Sequence, residues 1–117
     1  IEAVVAQVRF LPVLRIDRDV AGFQERVRPL LPRFSTGLVK DVRLEAGSAV
    51  ISDRPQHSFT TLDGHTTVSL SSNDLTLVAR QHLRRSDVLV GMKSAVEALS
   101  AEYGSVVGTR LGLRYVN

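Results

Sequence analysis

The sequence predicts an α+β fold of two layers. A mostly antiparallel sheet of about five to six strands is packed on one face by two helices, in the order β-α-β-β-β-β-α-β. Three observations predict it. Both ends of the chain, IEAVVAQVRF and GTRLGLRYVN, alternate residue by residue between two kinds of side chain. The stretch SDVLVGMKSAVEALSAEYG carries its apolar residues at helical spacing. Between them, turn-forming residues cut the chain into short β-branched runs, most clearly at Asp63-Gly64.

In the first strand, Val4, Ala6, Val8 and Phe10 share one side by the period of two, and Ala3, Val5, Gln7 and Arg9 share the other. The second face turns polar toward its end, and Pro12 closes the strand because proline cannot donate to a ladder. Asp19 is placed to cap a helix in which Val20, Phe23 and Val27 follow at helical spacing. Gly22 weakens that helix slightly. Pro29 ends or kinks it near Arg28, since its ring clashes with the preceding turn. Leu30, Leu31 and Phe34 are expected to continue the apolar contact in an irregular turn, and residues 35–37 to form a loop.

The middle of the chain reads as a meander. Residues 38–45 form a strand with an irregularity around Lys40 and Asp41, residues 46–48 a turn, and residues 49–53 a short strand. Residues 57–62 lead into Asp63-Gly64, a hairpin signal because glycine tolerates positive φ. Residues 65–72 make the next strand, with Thr67 and Ser69 opposing Val68 and Leu70; residues 72–74 make a turn, and 75–80 another strand. Ser86 or Asp87 caps the last helix, whose stripe is Val88, Met92, Ala95, Val96, Leu99 and Tyr103, and Gly104 stops it. The final strand runs from about residue 106 to 116. Neither helix can bury its stripe alone, so both pack on one sheet face. The first and last strands are expected near the centre of the sheet.

A chain of 117 residues with 44% hydrophobic and 23% charged residues fits one globular domain, residues 1–117, with a single core. No apolar run approaches the roughly 18 residues of a membrane span. The chain starts at Ile1 without methionine or a basic-then-apolar leader and reads as a trimmed segment. The absence of cysteine removes disulfide scaffolds, thiolate nucleophiles and zinc–thiolate sites, and fits a cytoplasmic protein. The net charge of +3 rests almost wholly on arginine, with Lys40 and Lys93 the only lysines. Arginine suits bidentate contacts to carboxylate or phosphate; it is also what a GC-rich genome encodes by default.

Two terminal segments resemble a known family. Ile1, Glu2, Ala3, Val4, Arg9 and Phe10 match the opening Pro-Pro-Ile-x-Glu-Ala-Val segment and its IRF-like end in the TIGR04255 family. Arg110, Gly112, Leu113, Arg114, Tyr115 and Asn117 match its Arg-x-Gly-Leu-Arg-Tyr-Ile-Asn segment, with Val116 in place of isoleucine. Residues 54–64, RPQHSFTTLDG, also resemble a family segment. The family consists of uncharacterised, sporadically distributed bacterial proteins about twice this length. The resemblance therefore implies that this chain is the N-terminal half of a longer protein. One departure is plain. Where the family carries a Tyr-Trp pair before the second helix, this chain has RQHLRRSD, with His82 and Arg85.

The last strand carries the strongest functional signal. Thr109, Leu111, Leu113 and Tyr115 share one side and Arg110, Gly112 and Arg114 the other. With the apolar set against the helices, the arginines stand on the open face, and Arg9 and Gln7 lie beside them. Arg9, Arg110, Arg114 and Gln7 are therefore the candidate binding residues, suited to a carboxylate, a phosphate or an acidic strip of a partner. Against this stands plain solvation, with local pairing to Glu2 or Glu45 or packing on the remainder of the protein. His57, His65 and His82 lack metal-ligand spacing and are expected in loops or on strand surfaces. No serine sits in a nucleophile elbow, and the acidic residues are explained by caps and turns. The glycines near residues 104–112 lead into a strand, so no phosphate loop forms. RQHLRR (80–85) is a basic cluster, but the interleaved exposed aromatics of a nucleic-acid binder are missing.

The sequence thus points to a non-catalytic binding or interaction domain that contacts a partner domain or an anionic ligand through a basic sheet face. Its expected partners are the C-terminal half of the same protein or a second copy of itself. No cofactor, metal or membrane contact is expected. The alternatives are half of an enzyme whose active site needs the C-terminal part, and a weak nucleic-acid binder.

Overall fold

The computed structural model describes residues 3–80, 85–104 and 108–116, and only the backbone at Asp41, Arg43, Arg85, residues 108–111 and residues 113–116. The elements, in chain order, are β1 (Ala3–Phe10), α1 (Arg15–Arg18), α2 (Ala21–Val27), β2 (Arg33–Glu45), β3 (Ser48–Thr60), β4 (Thr66–Ser71), β5 (Asp74–Arg80), α3 (Arg85–Tyr103) and β6 (Gly108–Val116). The six strands form one sheet in the order β2-β3-β4-β5-β1-β6, and every neighbouring pair is antiparallel. Helices pack on one face, which gives the two-layer α+β arrangement.

The core sits between that face and the helices. Alternate strand residues supply the sheet side: Val4 and Ala6, Phe59, Val68 and Leu70, and Leu75, Leu77 and Ala79 are all buried. Ile16, Phe23, Val27 and Leu31 seal it from the α1–α2 side, and Val88, Met92, Ala95 and Leu99 from α3. Phe23 meets Phe59 edge-on, with ring centroids 5.2 Å apart. The α3 stripe is the one read from helical spacing, and Gly104, at φ +82°, ends the helix with its N–H on the Ser100 carbonyl at 2.9 Å.

Four local expectations need correction. The first helix is two helices. Arg15–Arg18 makes an extra turn, Asp19 ends it in an extended conformation, and Val20 is the N-cap of α2, without a side-chain cap. Asp19 still works nearby, since its Oδ1 accepts the Ala21 N–H at 3.3 Å. Residues 35–37 are strand rather than loop. The 13-residue β2 pairs in unbroken register with the 13-residue β3, so the two short central strands are one. Gly37 is tolerated because β2 is an edge strand and nothing lies within 4 Å of where its side chain would project. Pro55 is tolerated because β3 pairs with β4 only over His57–Thr60 and is one-sided beyond. Third, Leu31 is buried but Leu30 is 70% exposed and Phe34 lies in β2. Finally, β6 is an edge strand. The meander β2–β5 occupies one side of β1, so the crossover through α3 delivers β6 to the other, and of the two terminal strands β1 alone is flanked on both sides.

Turns follow local chemistry. Ala46 and Gly47 both have positive φ, +49° and +80°, the requirement of the tightest hairpin turn. In the β3–β4 connection, Asp63 Oδ1 accepts from Thr61 Oγ1 at 2.6 Å and from the His65 N–H at 2.9 Å, while Gly64 sits at φ +78°. These bonds hold the Asp63 carboxyl below its ordinary pKa, the Thr61 hydroxyl first and the His65 N–H second.

Candidate functional site

The sheet face away from the helices holds the candidate residues. Register fixes what shares it. Across β1, Arg9 pairs with Asp74 on one side and Arg110 on the other, Gln7 with Thr76 and Gly112, and Val5 with Val78 and Arg114. The four residues singled out from sequence therefore occupy neighbouring positions of two adjacent strands. Leu111, Leu113 and Tyr115 fall in register with Val8, Ala6 and Val4, the helix-facing set. The side-chain contacts of residues 110, 111 and 113–115 lie outside the described residues, as do Glu2 and His82.

Neighbouring strands extend this face with small hydroxyl residues. The central row runs Ser35, Ser58, Ser69, Thr76, Gln7 and Gly112 across all six strands. The next row holds Arg33, Thr60, Thr67, Val78, Val5 and Arg114. Cross-strand hydrogen bonds tie them together: Gln7 Nε2 donates to Thr76 Oγ1 at 3.2 Å, Ser58 and Ser69 hydroxyls meet at 3.4 Å, and Thr60 and Thr67 at 3.2 Å. These side chains are half-buried, whereas Ala6, Phe59, Val68 and Leu77 on the helix side are buried.

Charge on this face is strongly biased. Among the described residues, and by the alternation of the strands, the positions of Arg9, Arg33, Arg43, Arg54, Arg80, Arg110 and Arg114 lie on it, against three acidic positions, Asp41, Glu45 and Asp74. One built cluster anchors the β4–β5 end. Arg54 Nη1 donates to Asn73 Oδ1 and to Ser71 Oγ at 3.3 Å, and Ser71 Oγ donates to Asp74 Oδ1 at 2.8 Å. Ser71, 1% exposed, is sealed although it lies on the open side. Asp74 in turn is the register partner of Arg9, so the cluster runs into the candidate residues.

The histidines separate. His57 is not on a strand surface: it is 6% exposed on the helix side of β3. Its Nε2–H donates to the Ile16 carbonyl at 3.1 Å, so in the neutral ring Nδ1 accepts from the Thr36 hydroxyl, also at 3.1 Å. It stacks near Phe34, with centroids 6.2 Å apart, and ties α1 to the sheet. The strand pairing puts His57 on the side of Phe59, and the position of α1 shows why a polar ring is tolerated there. His65 is exposed beside Asp63, with Nδ1 3.7 Å from Oδ2. Among the described residues no cluster of histidine and acidic side chains could hold a metal ion. No described helix is long and apolar enough to cross a membrane.

Reasoning from sequence missed the hydroxyl rows and Arg54. The rows were latent in the alternation at Thr67 and Ser69, but their width depends on strand order. Nothing local to Arg54 signals that the Ser72-Asn73 turn will fold back onto it. Comparison with protein-family models, with curated proteins and with solved structures finds no match.

Proposed function

We propose that this domain is a non-catalytic interaction module whose uncovered, arginine-bearing sheet face holds an acidic surface of a partner domain or an anionic ligand. The observation that carries the reading is the strand register: it gathers seven arginine positions against three acidic ones on the face without helices. Arg9, Gln7, Arg110 and Arg114 form its β1–β6 end. Rows of hydroxyl residues beside arginine positions suit bidentate recognition of carboxylates, with the hydroxyls as adaptable donors and acceptors. The preferred partner is the remainder of a longer protein, in keeping with the family resemblance of the two terminal segments. A second copy of the chain is the other partner. Cytoplasmic residence belongs to the same proposal.

The test is a titration of the folded domain with a polyglutamate peptide and with inorganic phosphate, followed by backbone amide shifts. Saturable shifts are expected on β1, β5 and β6, weakening with added salt. The triple variant Arg9→Ala/Arg110→Ala/Arg114→Ala is expected to bind roughly tenfold or more weakly, about 1.4 kcal/mol or more, at an unchanged melting temperature. Unfolding of the variant, or undiminished binding by it, contradicts the proposal.

A further inference from the structure

On the opposite side of the sheet, a cavity of about 260 Å³ opens between the end of α2, the first half of α3 and the β3–β4 end of the sheet. We propose that it is a binding site for a small, neutral, apolar molecule. Its inner walls are aliphatic: Val27, Leu31, Val68, Leu77, Ala79 and Val88 line it, and all are buried in the core. Gly91 lines it from α3 without a side chain, and a Cβ there would stand 3.2 Å from Leu77 Cδ1, so helix and sheet already meet closely at that point. The space beside the contact therefore belongs to the walls' shape rather than to a loose helix.

Size and charge set the ligand class. An apolar cavity of about 150 Å³ holds benzene, so this one has room for roughly ten non-hydrogen atoms. Its polar groups include one cation, Arg26, and one anion, Asp87, whose formal charges cancel. The guanidinium is moreover already engaged, with Nε donating to Glu102 Oε1 at 2.7 Å. A charged ligand would lose far more hydration in an aliphatic chamber than a neutral one does. The hydroxyl residues Thr66 and Ser94 leave room for one hydrogen-bonding end, as in an alcohol or a phenol. The site is separate from the arginine-bearing face and stands or falls without it.

The probes are indole and 1-hexanol, with hexanoate as the charged counterpart, titrated into the folded domain and followed by amide and methyl shifts. Saturable shifts are expected at Val27, Leu77, Ala79 and Val88, with hexanoate at least tenfold weaker than hexanol. Ala79→Leu, which fills the chamber from the sheet, is expected to abolish them. Ser94→Leu, an exposed position at the rim, is expected to weaken them at least fivefold and serves as the deciding variant if Ala79→Leu does not fold. The proposal is overturned if no saturable shift appears at these residues, if hexanoate binds as well as hexanol, or if the deciding variant binds like the parent. It is equally overturned if the cavity residues shift with protein concentration in the absence of probe, since a second copy then fills the space.

Discussion

Strand β3 contains two regions that differ in what pairs beside them and in what lies over them. From His57 to Thr60 it pairs on both sides and buries Phe59 completely; from Ser48 to Asp53 it pairs with β2 alone and every residue is exposed. The distal ribbon is no less apolar for that. Leu38, Val42, Leu44 and Ile51 all stand in water, Leu44 at 83% exposure. The difference teaches that alternation and β-branching suffice to specify a strand, while burial requires a second layer above it. A two-stranded ribbon by itself is marginal in water. The ribbon therefore draws its order from the body of the sheet, and its side chains contribute little to holding the domain together.

The largest break of this comparison is expected from Phe59→Ala. Phe59 touches both Phe23 and Phe34, with centroids 5.2 Å away in each case. Its removal is expected to cost about 3–5 kcal/mol, as for large aromatic truncations in cores. Leu44→Ala on the ribbon is expected to stay within about 0.5 kcal/mol, as for surface changes. Urea denaturation of both variants measures the contrast, and comparable losses would mean that the ribbon is covered in solution.

A smaller effect is expected at the junction of the two regions. His57→Leu keeps an apolar body but removes the donor to the Ile16 carbonyl. Leaving that buried acceptor unpaired is expected to cost about 1–3 kcal/mol. The same denaturation experiment checks it, and a neutral outcome would show that water reaches Ile16.

The smallest effect depends on pH. Tyr103, whose hydroxyl donates to the Asp19 carbonyl at 2.6 Å, joins α3 to the α1–α2 segment. Burial first, then the Asp19 carboxylate, push its pKa from 10.0 to about 12, although Arg15 over the ring opposes the rise. Unfolded chains lose this proton first. Its stabilisation is therefore complete below pH 10 and is lost as pH rises through about 12. The parent is expected to lose more stability across that window than Tyr103→Phe, measured as the difference in denaturation midpoints. Parallel curves would remove Tyr103 from the account.

These contrasts also show what the sequence made legible. Helix α3, its stripe and its glycine stop follow from spacing within one segment, and so do the Asp63-Gly64 hairpin and the two-faced character of β1. What escaped the sequence depends on neighbours distant along the chain. The length of β2 and β3 comes from their pairing with each other, which overrides the turn-like Ser35-Thr36-Gly37 and the proline at 55. The place of β6 at the edge follows from which side of β1 remained free. His57 is buried because α1, an element too short to announce itself, offers it a carbonyl. For the candidate site, the alternation of Arg110, Gly112 and Arg114 and of Gln7 and Arg9 was visible locally. The hydroxyl rows beside them and the arginines of β2, β3 and β5 emerged only from the strand order.

The central claim is that helices seal one face of this sheet and not the other. Thr76 and Leu77 test it most directly, being consecutive residues of the interior strand β5 on opposite faces. Leu77→Ala is expected to cost about 2–5 kcal/mol and Thr76→Ala less than about 1 kcal/mol, both measured by urea denaturation of the isolated domain. Equal, large losses at the two positions would mean that both faces are covered, and would contradict the account.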